Sequence, residues 1–181
     1  MFKLKPGLPP HHVALAMVGA KAGQQVLFVG AQGPDLAAEV ALVTGLNGRT
    51  VVVDRGPDVA DRVQAAAAKA GALVELLDAP LTMLPLDSDS FEVVVVHAAL
   101  AGRTPEIRDH VLSEAVRVAG PGRRILIIEG ARRAGLFGLV PAKGPTLDEA
   151  TGRALLERAG TLGPRLLADV EGIAFFEGRK K

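Results

Sequence analysis

The 181 residues contain no cysteine, no tyrosine and no tryptophan, and six phenylalanines make up the whole aromatic content. The lack of cysteine excludes a disulfide framework, a zinc–thiolate site, an iron–sulfur cluster and a thiol nucleophile. The lack of tyrosine excludes a phenolic acid or base, and no Trp or Tyr platform exists for stacking bases. Charge of one sign is also lacking. With 21 basic against 20 acidic residues the formal net charge is +1. Bulk attraction to nucleic acid or to an anionic membrane is therefore not expected. Long apolar runs are missing too. Val93-Val94-Val95-Val96 is strand-length, not span-length. The basic start (Lys3, Lys5) runs into Pro9-Pro10-His11-His12, which interrupts any secretory leader. A soluble, cytoplasmic protein is the expectation.

What is present is 49% apolar content in a length suited to one domain. We read residues 1–181 as a single domain, with an N-terminal segment and helix over 1–24 and a core over 25–181. Short β-branched runs alternate with alanine-rich helical stretches. Strands are expected near 25–29, 50–53, 73–77, 91–96 and 124–128. They are almost continuously apolar, as in a parallel sheet covered on both faces. Helices are expected over 12–22, 35–44, 58–70 and 105–119. Thr104 would cap the last of these, with Pro105 at its first position and Gly120-Pro121-Gly122 beyond its end. Its apolar positions Ile107, Val111, Leu112, Ala115 and Val118 share one face. A final helix would begin at Thr146, with Glu149 completing a capping box, and end at Gly160. Two further short strands, 165–170 and 173–177, flank Glu171-Gly172 and read as an antiparallel hairpin. The fold class is α/β. Residues 130–145, rich in Gly, Pro and Arg, are the one long irregular stretch.

Ligands in open parallel sheets sit beyond the carboxyl ends of the strands. The residues there are Gly30-Ala31-Gln32-Gly33, Asp54-Arg55, Asp78-Ala79, His97-Ala98 and Glu129-Gly130. Gly30 and Gly33 allow tight turning and close approach to a ligand. Asp54, about 20 residues beyond the glycine loop, stands where an acid accepts from ribose hydroxyls; the plainer reading is that it simply begins a turn with Arg55. Asp78 could accept from an exocyclic amine, with Ala79, Leu84 and Leu100 as apolar walls for a purine. His97 is the candidate general base, against the plainer reading of a histidine closing a strand end. No metal site is expected.

These residues carry a family resemblance. LPLDSDSFEVVVVHAAL (Leu84 to Leu100) and LSEAVRVAGPGRRILIIEG (Leu112 to Gly130) resemble the fourth-strand and fifth-strand regions of class I S-adenosylmethionine-dependent methyltransferases. The resemblance is to the type 11, ubiquinone/menaquinone-methyltransferase-like group. LLERAGTLGPRLLADVEGIAFFEG (Leu155 to Gly178) is similar to that group's last helix and terminal hairpin. The resemblance implies a Rossmann-like three-layer sandwich with a mostly parallel seven-stranded sheet ending in an antiparallel hairpin. It implies S-adenosylmethionine held by Gly30, Ala31, Gln32, Gly33, Asp54, Arg55, Asp78, Ala79, His97 and Ala98, with Asp54 on the ribose and Asp78-Ala79 at the adenine. The first motif departs from the family's acid-apolar-Gly-x-Gly-x-Gly: Phe28 replaces the acid, Gln32 the second glycine and Pro34 the third. The expected function is methyl transfer to a small-molecule acceptor. The alternative is a catalytically inactive methyltransferase-fold binding or assembly module. A nicotinamide-dependent oxidoreductase is disfavoured because Gly-x-Gly-x-x-Gly does not follow the first strand. The outer strand of the hairpin could pair with a second copy to give a homodimer.

Overall fold

The computed structural model describes residues 10–130 and 147–181. The expected irregular stretch at 130–145 and the expected cap at Thr146 lie, apart from Gly130, outside the described residues. The element order is α1 (Pro10–Val18), β1 (Gln25–Val29), α2 (Pro34–Thr44), β2 (Arg49–Asp54), α3 (Val59–Ala70) and β3 (Glu75–Asp78), then β4 (Phe91–His97), α4 (Pro105–Val118), β5 (Ala119–Gly130), α5 (Glu149–Arg158), β6 (Leu162–Val170) and β7 (Ile173–Arg179). One seven-stranded sheet runs β3-β2-β1-β4-β5-β7-β6. Strands β1 to β5 are parallel, and β7 pairs antiparallel with both β5 and β6.

The apolar runs lie in the middle of this sheet because both of its faces are covered. Leu27, Val29, Val51, Val53, Val94 and Val96 point to one face and pack with Val111, Leu112 and Ala115 of α4 and Leu155 and Leu156 of α5. Val26, Phe28, Val52, Val93 and Val95 point to the other. They pack with Val13 and Val18 of α1, Leu36 and Val40 of α2, and Val59 and Val63 of α3. The period-2 alternation of a strand thus feeds two cores and makes the three layers.

Several boundaries differ from those expected. Helix α4 begins as expected, with Thr104 Oγ1 accepting from the Ile107 N–H at 3.5 Å. Ile107 itself, in the first turn, is 37% exposed, while the rest of that stripe is buried. Helix α5 is capped by Asp148, whose Oδ1 accepts from the Thr151 N–H at 2.7 Å; a carboxylate at an N-terminus also complements the helix dipole. Helix α1 starts at Pro10 and ends at Val18, four residues short of the expected end. Strand β3 starts at Glu75, two residues late, and Leu73 is 77% exposed. Strand β5 begins at Ala119 because Gly122 and Arg123 exchange hydrogen bonds with Lys180 (Gly122 N–H to Lys180 O, Lys180 N–H to Arg123 O, both 3.0 Å). A tertiary partner thus turns a helix-ending Gly-Pro-Gly into strand. The β6–β7 turn has φ of 52° at Glu171 and 79° at Gly172, the left-handed pair of a two-residue hairpin.

Arg124 ties the layers together. It donates to the carbonyls of Met17 and Val18 at the end of α1 and to the carboxylate of Glu177 on β7, which Arg165 of β6 also engages. No helix of the described residues is long and apolar enough to cross a membrane.

Candidate functional site

The order β3-β2-β1-β4-β5 places the switch point between β1 and β4: the chain leaves β1 toward the face of α2 and leaves β4 toward the face of α4. The loops after these two strands therefore diverge at the carboxyl edge of the sheet, the place where open parallel sheets take their ligands. Gly30 to Gly33, Asp54-Arg55, Asp78-Ala79 and His97-Ala98 all stand on that edge, as the end of each strand dictates.

The two glycines of the first loop are there for different reasons. Gly30 has φ +101°, and a Cβ there would lie 2.5 Å from the carbonyl oxygen of His97; both backbone conformation and space demand glycine. Gly33 has an ordinary φ of −125°. A Cβ there would meet the His97 imidazole, 2.3 Å from Cε1 and 2.9 Å from Nδ1. The imidazole is seated on the glycine loop, and Gly33 is the seat. Gln32 between them is exposed and Ala31 is buried.

Asp54 closes the loop from β2. Its Oδ2 accepts from the Ala31 N–H at 2.8 Å and its Oδ1 from the Arg55 N–H at 2.7 Å. It therefore begins a turn and faces the glycine loop at once. A carboxylate offers about four acceptor positions, so two stay available to hydroxyls. Asp78, at the end of β3, has a side chain 80% exposed and lies 3.7 Å from the half-exposed Arg55 guanidinium. Ala79, Leu84 and Leu100 are core residues; Leu81 and Leu86, packed against that core but less buried, are the nearer apolar surface.

His97 extends the parity of Val93 and Val95 and so points to the α2 face. Its Nδ1 is buried without a hydrogen-bond partner. Burial pushes its pKa down to about 4, which keeps the ring neutral at physiological pH but makes it a weak base. Ala98, next in chain, sits at φ +49° and donates to the carbonyl of Ile128 at 2.9 Å.

Glu129 is placed at the carboxyl edge by its position after the fifth apolar run, with no role expected for it there. It is 1% exposed, points to the opposite face from His97, and accepts from the Leu100 N–H through Oε1 at 2.6 Å. Burial raises its pKa, against the pull of the N–H groups of Leu100, Ala101 and Ala99 and the charge of Arg108. Since a lone acid after a strand is an unremarkable sequence feature, only its burial distinguishes it. Among the described residues no cluster of His, Cys, Asp or Glu could hold a metal ion.

This arrangement defines a class I, Rossmann-like methyltransferase fold. A solved S-adenosylmethionine-dependent methyltransferase from Aquifex aeolicus superposes with a TM-score of 0.69 at 22% identity, over 94% of this chain and 88% of that one. One from Methanosarcina mazei gives 0.65 at 16%, over 96% and 98%. These likenesses speak for the fold. The family follows from the sequence: residues 26–122 match the methyltransferase domain family, and the chain belongs to it. The methyl donor of S-adenosylmethionine-dependent methyltransferases is S-adenosylmethionine. A ubiquinone/menaquinone biosynthesis C-methyltransferase from Vibrio vulnificus is 27% identical over 113 residues, 61% of this chain and 43% of that protein. The chain thus spans less than half the length of the curated relatives it matches.

The edge carries groups of the kind an adenosyl donor needs: Asp54 keeps acceptor positions beside the glycine loop, and Leu81 and Leu86 are partly exposed apolar residues. On the methionyl side, Phe28 is 1% exposed and belongs to the core, so no carboxylate comes from that position.

Proposed function

We propose that this chain transfers the methyl group of S-adenosylmethionine to a small-molecule acceptor bound above β4 and β5. The observation that carries the reading is Asp54, held against the glycine loop by the Ala31 N–H with acceptor capacity to spare. When bound, the donor supplies a sulfonium methyl group open to in-line displacement. Asp54 would hold the ribose, Gly30 to Gly33 the backbone of the loop beneath it, and Asp78 with Ala79 the adenine. The chain's contribution is then proximity, orientation and exclusion of water. No dedicated nucleophile is needed. His97 as proton acceptor draws little support from its surroundings: the ring is a weak base, Nδ1 is covered, and Glu129 points to the other face.

Calorimetric titration with S-adenosylmethionine and S-adenosylhomocysteine tests the reading. Binding heat with a thermal upshift is expected. No heat and no shift at millimolar ligand would refute it and leave the second reading, a methyltransferase fold used for binding or assembly. The seating of His97 on Gly33 and the core position of Phe28 favour that second reading. A homodimer through β6 gains little, because Pro164 and two register breaks make that edge a poor template.

A further inference from the structure

Among the described residues two buried side-chain polar atoms have no hydrogen-bond partner, His97 Nδ1 and Glu129 Oε2. They stand on opposite faces of the sheet, at the ends of neighbouring strands: His97 pairs in register with Ile128, and Glu129 is the next residue. They also flank the same turn. The chain leaves β4 at His97, passes the left-handed Ala98, and reaches Leu100, whose N–H is bound by Glu129.

A left-handed φ is costly for alanine, which has a Cβ to accommodate. Such a bend persists only where its surroundings hold it. Among the contacts that hold it are three. The Ala98 N–H is bound by the Ile128 carbonyl at 2.9 Å. The Leu100 N–H is bound by Glu129 Oε1 at 2.6 Å. The Leu100 carbonyl accepts from Arg108 Nε at 3.0 Å, which also brings a positive charge toward the carboxylate. The first is strand pairing by backbone; the other two depend on side chains. The bend matters at the cofactor edge, because the His97 carbonyl is packed on Gly30 and the His97 ring on Gly33.

We propose that Glu129 is a positioning residue. From the α4 face it holds the β4–α4 turn in the bend at Ala98 that seats the His97 imidazole on the glycine loop of the opposite face. The inference deepens the methyltransferase reading, on which its consequence for ligand binding rests: the acceptor-side end of β5 supports the donor loop through this turn. A core acid that merely filled space would have no such reach.

The test reads His97 directly, in the full chain and without ligand. The protein is labelled with isotopic histidine, and the four histidines (His11, His12, His97, His110) are followed by NMR across pH, with His97→Gln fixing the assignment. The wild-type His97 resonance should titrate near 4. In Glu129→Ala the freed turn should unseat the ring and move the titration upward toward the ordinary 6.5. Glu129→Gln keeps an acceptor for the Leu100 N–H and should stay near the wild type. Adding Ala98→Gly to Glu129→Ala removes the cost of the bend and should move the titration back down. Should Glu129→Ala fail to fold, Glu129→Asp, which withdraws the carboxylate by one methylene, should shift His97 in the same upward direction. An unmoved His97 in the foldable variant, or a shift in Glu129→Gln as large as in Glu129→Ala, overturns the proposal. Binding of S-adenosylhomocysteine by the wild type is measured separately, so failure of the methyltransferase reading is not confused with failure of this one.

Discussion

Replacing Gly33 by alanine should destabilise the fold through a single contact, and removing that contact should restore it. The backbone at Gly33, with φ −125°, accepts any residue. The difficulty is space: the new Cβ would lie 2.3 Å from His97 Cε1, against roughly 3.5–4.0 Å for an unstrained carbon pair. An overlap beyond 1 Å cannot be absorbed by a few tenths of movement, so the ring must leave its seat or the loop must shift. Overpacking of this kind costs about 1–3 kcal/mol, and we take ~2 kcal/mol for Gly33→Ala. His97→Ala removes the ring together with its unpartnered Nδ1, whose burial is itself unfavourable, so its own cost should be near 1 kcal/mol or below. In that background Gly33→Ala should cost only the small loss of exchanging glycine for alanine at the start of α2, a term common to both backgrounds. The cycle should thus show about 2 kcal/mol of coupling, within the range for residues in contact. Urea denaturation followed by far-UV circular dichroism is the suitable assay, because a chain without tryptophan or tyrosine gives little intrinsic fluorescence. Equal cost of Gly33→Ala in the two backgrounds would refute the seating of His97 on Gly33.

Acid should destabilise the protein through His97. With its folded-state pKa lowered to about 4 from 6.5, His97 leaves the unfolded chain holding more protons between those values. Stability falls as pH drops through that window, by about 3 kcal/mol in all; thermal melts from pH 7 to 4 should show it, and His97→Ala should flatten the part above pH 5. Asp54→Ala should weaken S-adenosylhomocysteine binding by roughly 1.5–3 kcal/mol, the scale of a charge-assisted hydrogen bond; unchanged affinity by calorimetry would mean that the ribose is elsewhere. Glu177→Gln removes a buried acid's charge and sets an amide donor against one of its two arginine partners, Arg124 or Arg165, and should cost about 3 kcal/mol in chemical denaturation. Burial pulls the Glu177 pKa up, but those two arginines prevail and hold it below the usual carboxylate range. Its stabilising contribution is therefore present at neutral pH and is lost as pH falls below that range.

Much of the fold was legible because its signals are local. Uninterrupted apolar runs marked strands buried on both faces. Thr104-Pro105 marked the start of α4, and Glu171-Gly172 the hairpin. The edge residues Gly30, Asp54, Asp78 and His97 were legible by position alone, as the ends of those runs. Where expectation and structure differed, tertiary context intervened: Lys180 draws Gly120 to Gly122 into β5, and the edge position of β3 leaves its start exposed. The departure of the first motif was plain as a string, yet only packing shows Phe28 as a member of the α2-face core.

By itself the sequence determined the class of architecture and the edge that gathers Gly30, Asp54, Asp78 and His97, because hydrophobic period and turn chemistry act over a few residues. Tertiary structure decided what each edge residue can do. It placed Ala31 on Asp54, laid the His97 ring on Gly33 and thereby weakened it as a base, and buried Glu129 under the turn that joins the two faces. Those outcomes depend on which residues, 20 to 70 positions apart, share a few ångströms of space, and desolvation and close contact exist only once the chain has folded.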